Sequence, residues 1–205
     1  MLGNRPPAVD IFTSLSSDHR LISRVLDAFE RFLTETEQTN AISLLELNRF
    51  CTFFREFVEL VHHDLEEEVL FPAMEQIGYA RNGAPLTHIR DEHERERRLL
   101  FELRREALSA QPFSPEERTL LVELGRCLIA FQRTHMKKES ELLYPRLKQE
   151  FAEKRFTDLN PRAARYKLDG ARDAEQRWLL SLADELVAKH APASEAAPAS
   201  SSDVG

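Results

Sequence analysis

The chain has 205 residues, a formal net charge of −7 and only 6 glycines. That length suits one domain with a sizeable core. The acidic balance excludes a general nucleic-acid binder, because little here would release counterions from a phosphate backbone, and no stretch stays apolar long enough to cross a bilayer. Abundant Leu, Glu, Arg and Ala with so little glycine predict an all-α chain.

Met1 to Asp10 holds no apolar run, so no secretory signal is expected. Hydrophobic positions then follow helical spacing almost throughout. A first helix is predicted from about Asp10 to Leu33, with Ile11, Leu15, Ile22, Leu26 and Phe29 on one stripe and a Thr-Glu-rich stretch breaking it. Ser43 and Glu46 form a capping box for a second helix, whose stripe runs through Leu47, Phe54, Val58, Leu65 and Val69. Pro72, Gly78 and the Arg81-Asn82-Gly83 turn close that region. Pro85 opens a third helix with Leu86, Ile89, Leu100 and Leu103 inward.

Ser114, Pro115 and Glu117 start a fourth helix, with Leu121, Leu124, Leu128 and Phe131 as its stripe. A fifth amphipathic helix spans roughly Pro161 to Lys189 and carries Tyr166, Trp178, Leu179 and Leu182. Short loops between long helices predict an antiparallel four-helix bundle over residues 1–155. Residues 156–190 supply an additional C-terminal helix packed on it, which either covers the bundle or forms a homodimer through Trp178. The tail, 191–205, is Ala, Pro, Ser and acid, and is expected to be disordered. Cys51 and Cys127 each sit in an apolar stripe and read as buried free thiols in a reducing, cytoplasmic setting.

Four histidines interrupt the apolar stripes. His19 lies between Leu15 and Ile22, and His93 between Ile89 and Leu100; His62 continues the Val58 line, and His135 the Leu128 and Phe131 line. A single buried imidazole reads most simply as a core side chain bonded to a carbonyl. Four, each on a different helix, read differently, because every buried ring nitrogen needs a defined partner. Two of them are followed at i+4 by glutamate: His62 by Glu66 and His135 by Glu139. That spacing falls ~40° past one full turn, so each pair points the same way. Glutamate is rarely buried unless paired or bound to metal. A cation inside the bundle supplies the countercharge, and imidazole with carboxylate suits iron or manganese.

The pattern also repeats. His62-x-x-x-Glu66 runs on to Leu70-Phe71-Pro72, and His135-x-x-x-Glu139 to Leu143-Tyr144-Pro145. His19 precedes His62 by 43 residues and His93 precedes His135 by 42. Two such helix pairs, facing each other, predict a nearly symmetric six-residue site in which the two glutamates bridge two ions.

These residues resemble the hemerythrin, or HHE cation-binding, family. The matching pieces are Asp18-His19-Arg20, His62 through Pro72, Asp91-Glu92-His93, and His135 through Pro145. The resemblance implies a four-helix bundle around a non-haem di-iron centre, with His19, His62, Glu66, His93, His135 and Glu139 as metal ligands. The oxygen-carrying branch resembles His-x-x-x-His in the third helix and uses an aspartate on the fourth. Here His88 precedes His93 by five residues, ~140° off its face, and glutamate replaces the aspartate. The resemblance is therefore closer to the branch used for iron sensing, nitric-oxide handling and di-iron redox chemistry. His63, one residue past His62, is either a further ligand or an outer partner; Glu67, Glu68 and Glu141 read as a charged outer face. Two functions are expected from this set. One is a module that binds or senses oxygen, nitric oxide or iron; the other is an oxidoreductase that reduces peroxide or oxygen.

Overall fold

Asp10, Ser43 and Ser114 each cap the first turn of a long helix with a side-chain oxygen. In the computed structural model, which describes residues 10–108, 112–167 and 170–192, Asp10 accepts from the Thr13 N–H and starts α1 (Ile11–Thr39). The expected break after Leu33 does not occur. Thr36 turns inward and donates to the Phe32 carbonyl at 2.9 Å, and Glu37 pairs with Arg126 on a neighbouring helix at 2.7 Å. Tertiary contacts thus carry the helix through a stretch of weak formers. It stops at Asn40, which adopts left-handed dihedrals (φ 52°) as asparagine tolerates.

Ser43 accepts from the Glu46 N–H to start α2, a continuous helix over residues 44–76. The reciprocal half of the expected capping box is replaced, because the Glu46 carboxylate turns to Lys189 at 2.9 Å. Pro72 does not close α2 either; the helix runs four residues past it. Instead the turn before it widens. Proline has no N–H and its ring crowds the carbonyl four residues back. Accordingly the Phe71 N–H bonds to the Glu66 carbonyl, five residues back, and Glu66–Leu70 is a π-turn. A further π-helical stretch covers Phe54–His63.

Next come α3 (Leu86–Ala107) and α4, continuous over residues 115–153 and opened by the Ser114–Glu117 capping box. Pro145 has the same effect in α4 as Pro72 in α2: the Tyr144 N–H reaches back to Glu139, making Glu139–Leu143 a π-turn. The region expected to form a fifth helix holds α5 (Leu159–Lys167) and α6 (Gly170–Lys189), with 168–169 between them outside the described residues. Residues 193–205, where a disordered tail is expected, lie outside the described residues.

Side-chain pairings show how the helices run. Along α1 and α4, His19 meets Ser140, Asp27 meets Arg133 and Glu37 meets Arg126, so rising numbers meet falling ones. The same holds for α1 with α2 (His19 with His62, Phe32 with Phe50) and for α3 with α4 (Glu92 with His135, Glu96 with Gln132). Gly125 lets α4 approach α1: a Cβ there would lie 2.7 Å from Leu33 Cδ1. α6 covers the bundle, burying Leu179, Leu182, Ala183 and Leu186, while Trp178 points outward and is half exposed. Cys51 is buried and its thiol is pushed up to about 12 by that burial. Cys127, expected inside, is exposed, because the inward stripe of α4 runs through Val122, Gly125 and Ile129 instead.

Two apolar cores result. One holds Ile22, Phe29, Phe50, Phe54, Leu103, Leu128 and Leu186. The other holds Phe12, Leu15, Leu70, Phe71, Leu86, Leu147 and Phe151. Between them along the helices lies a belt of buried polar groups. Phe29 is the hub of the first core, with ring centroids 4.8 Å from Phe50 and 5.4 Å from Phe54. Phe29→Ala is expected to lower unfolding free energy by about 3–5 kcal/mol, measured by urea denaturation.

Candidate metal centre

The belt is built from the interrupted stripes. His19 (α1), His62 and Glu66 (α2), His93 (α3), and His135 and Glu139 (α4) converge inside the bundle, all buried. The His19 and His62 Nε2 atoms face one another at 3.0 Å, and His19 Nε2 lies 3.2 Å from Glu139 Oε2. On the other side His93 Nε2 stands 3.3 Å from Glu66 Oε2, and His135 Nε2 is 3.2 Å from Glu139 Oε1. Ligand-type atoms of His19, His62 and Glu139 lie within 4.8 Å of one another, as do those of Glu66, His93, His135 and Glu139. Glu139 is common to both groups. His88, which the sequence sets off the His93 face, is exposed.

Behind the inward atoms stands a second set of partners. His93 Nδ1 donates to Glu67 Oε1 at 2.7 Å, and His135 Nδ1 donates to Glu92 Oε2 at 2.9 Å. His19 Nδ1 pairs with the Ser140 hydroxyl at 2.8 Å, and His62 Nδ1 lies 3.7 Å from Asp18 Oδ2. An ionised carboxylate can only accept, so it holds the proton on Nδ1 and leaves the Nε2 lone pair facing inward. Glu67 therefore belongs to the site and not to the outer face expected for it. Arg97 holds it there at 2.8 Å, and Lys138 similarly bonds Glu92.

The residues present fit a cation. Glu66 Oε2, His93 Nε2, His135 Nε2 and Glu139 Oε1 are buried and lack a hydrogen-bond partner, although buried polar atoms are almost always paired. All four face the interior of the same cluster. Left to protons alone, the cluster balances its charges awkwardly. Burial opposes charge on His93, but the Glu66 and Glu67 carboxylates outweigh it and raise that imidazole to about 10. Burial and the neighbouring Glu66 push Glu139 up to about 7. Glu66 itself is held below the usual carboxylate range: burial works against this, and the imidazoles of His93, His62 and His135 overcome it. A multivalent cation would take the place of those shared protons.

Several residues at the site carry no clear signal in the sequence. Tyr144 is buried; its hydroxyl donates to Glu66 Oε1 at 2.5 Å and lies 3.4 Å from both His19 Nε2 and Glu139 Oε2. Burial, with the Glu139 and Glu66 charges, pushes its phenol well above 10. Its one signal is positional, since it stands where Phe71 stands in the other repeat. Glu96, fully buried, is pushed up to about 8, first by burial, with Glu59 and Glu139 adding to it. With its amide nitrogen turned toward the carboxylate, Gln132 donates to Glu96. Both lie on the inward stripes, Glu96 at i+3 from His93 and Gln132 at i−3 from His135. His63, left open by its spacing alone, is fully buried against His93. The π-helical stretch ending at His63 explains this, because fitting an extra residue into the turn reduces the angular step between neighbours.

Comparison with known proteins agrees with this geometry. The family model described as Hemerythrin HHE cation binding domain matches residues 10–147 and, separately, 84–195. Proteins titled only as uncharacterized, one from Mycobacterium bovis and others from two strains of Mycobacterium tuberculosis, are 23% identical over 145 residues. The match covers 71% of this chain and 56% of each relative, so the chain spans little more than half the length of those proteins. No solved structure matches the chain. The first family match takes in all four helices that carry the buried His/Glu cluster, and the chain belongs to the hemerythrin HHE cation-binding family.

Proposed function

We propose that the protein is a non-haem di-iron module that binds or senses a small ligand (oxygen, nitric oxide or iron itself) through His19, His62, Glu66, His93, His135 and Glu139. One observation carries the reading: buried Glu66, His93, His135 and Glu139, on three helices, turn imidazole and carboxylate atoms toward one another with no hydrogen-bond partner, and His19 and His62 close the other side of the cluster. Glu139, within reach of both groups, would be the carboxylate available to both ions, and Glu66 would join it from α2. The donor set of nitrogen and carboxylate oxygen suits iron, and it exceeds what a closed tetrahedral zinc site uses. When bound, iron supplies a redox-active centre with open positions for a diatomic molecule or peroxide. Glu67 and Glu92 hold His93 and His135 in one tautomer, the two apolar cores keep bulk water from the ends of the cluster, and burial keeps a proton on Tyr144. The free thiols, Cys51 and Cys127, suit a reducing cytoplasm.

A second reading, a peroxide- or oxygen-reducing enzyme, is favoured by a cleft of about 580 Å³ that reaches Glu139 from the surface between His88, Ile89, Glu92, Lys138 and Leu143. Sustained peroxide consumption well above that of free iron, lost in Glu66→Ala, would establish turnover; consumption equal to free iron would leave only the binding module.

Elemental analysis after expression with iron is expected to give close to two irons per chain, and far less in the His62→Ala/Glu66→Ala double variant. Equal iron in both proteins would overturn the assignment. The pH dependence has a definite sign. His93 and Glu139, raised to about 10 and about 7, hold protons near neutrality that ligation must displace. Ion affinity should therefore rise with pH, with protons released to the buffer. For protein stripped of metal the trend reverses. A group whose folded pKa is raised stabilises below its unfolded value, and loses that contribution as pH climbs to the folded value. His93, raised to about 10, and Glu96, raised to about 8, both act this way between about pH 7 and pH 8, so the melting temperature of stripped protein should fall across that window while the increment from added iron grows.

A further inference from the structure

Several arginines on the outside of this bundle reach across to an acid on another helix. Arg126 pairs with Glu37, Arg133 with Asp27 and Glu30, and Arg49 with Glu185. On the outer side of α2 and α3 that pattern stops. A groove of about 540 Å³ runs there, lined by Arg55 from α2 and by Arg97, Phe101, Arg104 and Arg105 from α3. The α3 residues stand at i, i+4, i+7 and i+8, so they share one helix face.

Charge in this groove is not matched across it. The lining holds four guanidiniums and one carboxylate, that of Glu59 on α2, in a chain whose net charge is −7. Among the described residues, Glu59 forms no ion pair with any of the four arginines. Burial pushes its carboxyl above the usual range, and the pull of Arg97, Arg55 and Arg104 does not hold it down. Arg55 pairs with its chain neighbour Glu56 at 3.5 Å, and Arg105 with Glu102 and Glu106 on its own helix. Arg104 forms no ion pair with a described residue. Exposed pairs of this kind contribute little, so these guanidiniums remain open to a stronger acceptor. Phe101 lies among them with its side chain turned to solvent, 63% exposed.

Two kinds of group therefore sit side by side. A guanidinium fork matches the oxygens of a phosphate and can hold two at once. An exposed aromatic ring offers a face on which a flat base can stack. The groove has the size of a small-molecule cleft. The acids paired with these arginines, Glu56, Glu94, Glu102 and Glu106, would repel a long polyanion, and a compact anion avoids them.

We propose that the groove between α2 and α3 binds a small organic phosphate with a flat apolar body, the chemistry of a nucleoside diphosphate, its phosphates taken by Arg55 and Arg104 and its ring laid on Phe101. This site is separate from the metal centre and does not depend on which ion that centre holds. It stands two hydrogen bonds away from it, since Arg97 holds Glu67 at 2.8 Å and Glu67 accepts from His93 at 2.7 Å.

The test is isothermal titration calorimetry of the full-length protein with ADP, after metal has been removed from protein and buffer so that iron cannot hold the phosphates. ADP should bind at a single site per chain, and added salt should weaken it. Pyrophosphate should compete with ADP and bind more weakly, while adenosine alone should give no heat. The Arg55→Gln/Arg104→Gln variant should bind ADP about 10-fold more weakly or worse. Phe101→Ala should lose about 5-fold for ADP and nothing for pyrophosphate. Arg133→Gln, the same change of charge beside α1, should bind as wild type does. Far-UV circular dichroism checks that the variants are folded; should the double variant fail to fold, the single Arg104→Gln decides. No ADP binding by wild type, undiminished binding by a folded arginine variant, or a hexaglutamate peptide bound as tightly as ADP would overturn the proposal, the last by marking a general anion surface. None of these results bears on the two-ion reading, which the iron content tests separately.

Discussion

Carboxylates and imidazoles placed between two apolar cores must be neutralised where they stand, and most of the local structure at the middle of this bundle answers that demand. Water cannot do it, because Glu66, Glu139, His62, His93 and His135 are shut off from solvent. Neighbouring side chains do part of it from behind, through Glu67, Glu92 and Ser140. Those partners take up the outward nitrogens of His93, His135 and His19, and leave Glu66 Oε2, His93 Nε2, His135 Nε2 and Glu139 Oε1 without a hydrogen-bond partner. An interior cation is the remaining way to satisfy them, and it does so at many atoms together. Burying these charges is favourable only if all are compensated, since a half-satisfied polar network costs more than an apolar core.

The backbone makes its own adjustment to the same end. Two prolines, Pro72 and Pro145, sit inside long helices where they would ordinarily break or kink them. Here each is preceded by a turn in which the carbonyl of the motif glutamate accepts from five residues ahead. The wider turn keeps the helix continuous and gathers neighbouring side chains onto the inward face. This places Tyr144 over the cluster and, through the longer π-helical stretch of α2, turns both His62 and His63 inside.

How much of this was legible in the sequence follows from what kind of signal each residue leaves. His19, His62, Glu66, His93, His135 and Glu139 stand out because they break apolar stripes with strict periodicity, and the structure brings them together. Glu67 and Glu92 look like ordinary surface acids, because a residue at the edge of a stripe can serve either solvent or an imidazole. Tyr144, Glu96 and Gln132 are hidden for the opposite reason: one tyrosine, one acid or one amide in an inward stripe reads as tolerated polarity. Helix limits were the least legible. The polar run after Leu33 reads as a terminus until Arg126 reaches across to Glu37, and Pro72 reads as a stop until a widened turn absorbs it.

The separation of the apolar interior into two clusters, with the charged belt as a waist, bears on how the molecule holds together as a unit. Each end has its own aromatic packing, Phe29 with Phe50 and Phe54 at one, Phe12 with Tyr144 and Phe151 at the other. Such ends can open and close with separate free energies, as contiguous packed units generally do. Whatever ties the waist therefore decides whether the bundle behaves as one cooperative body or as two joined by long helices. An ion gripped by four helices at the waist would act as a clasp, so that a change in its ligation is felt at both ends at once.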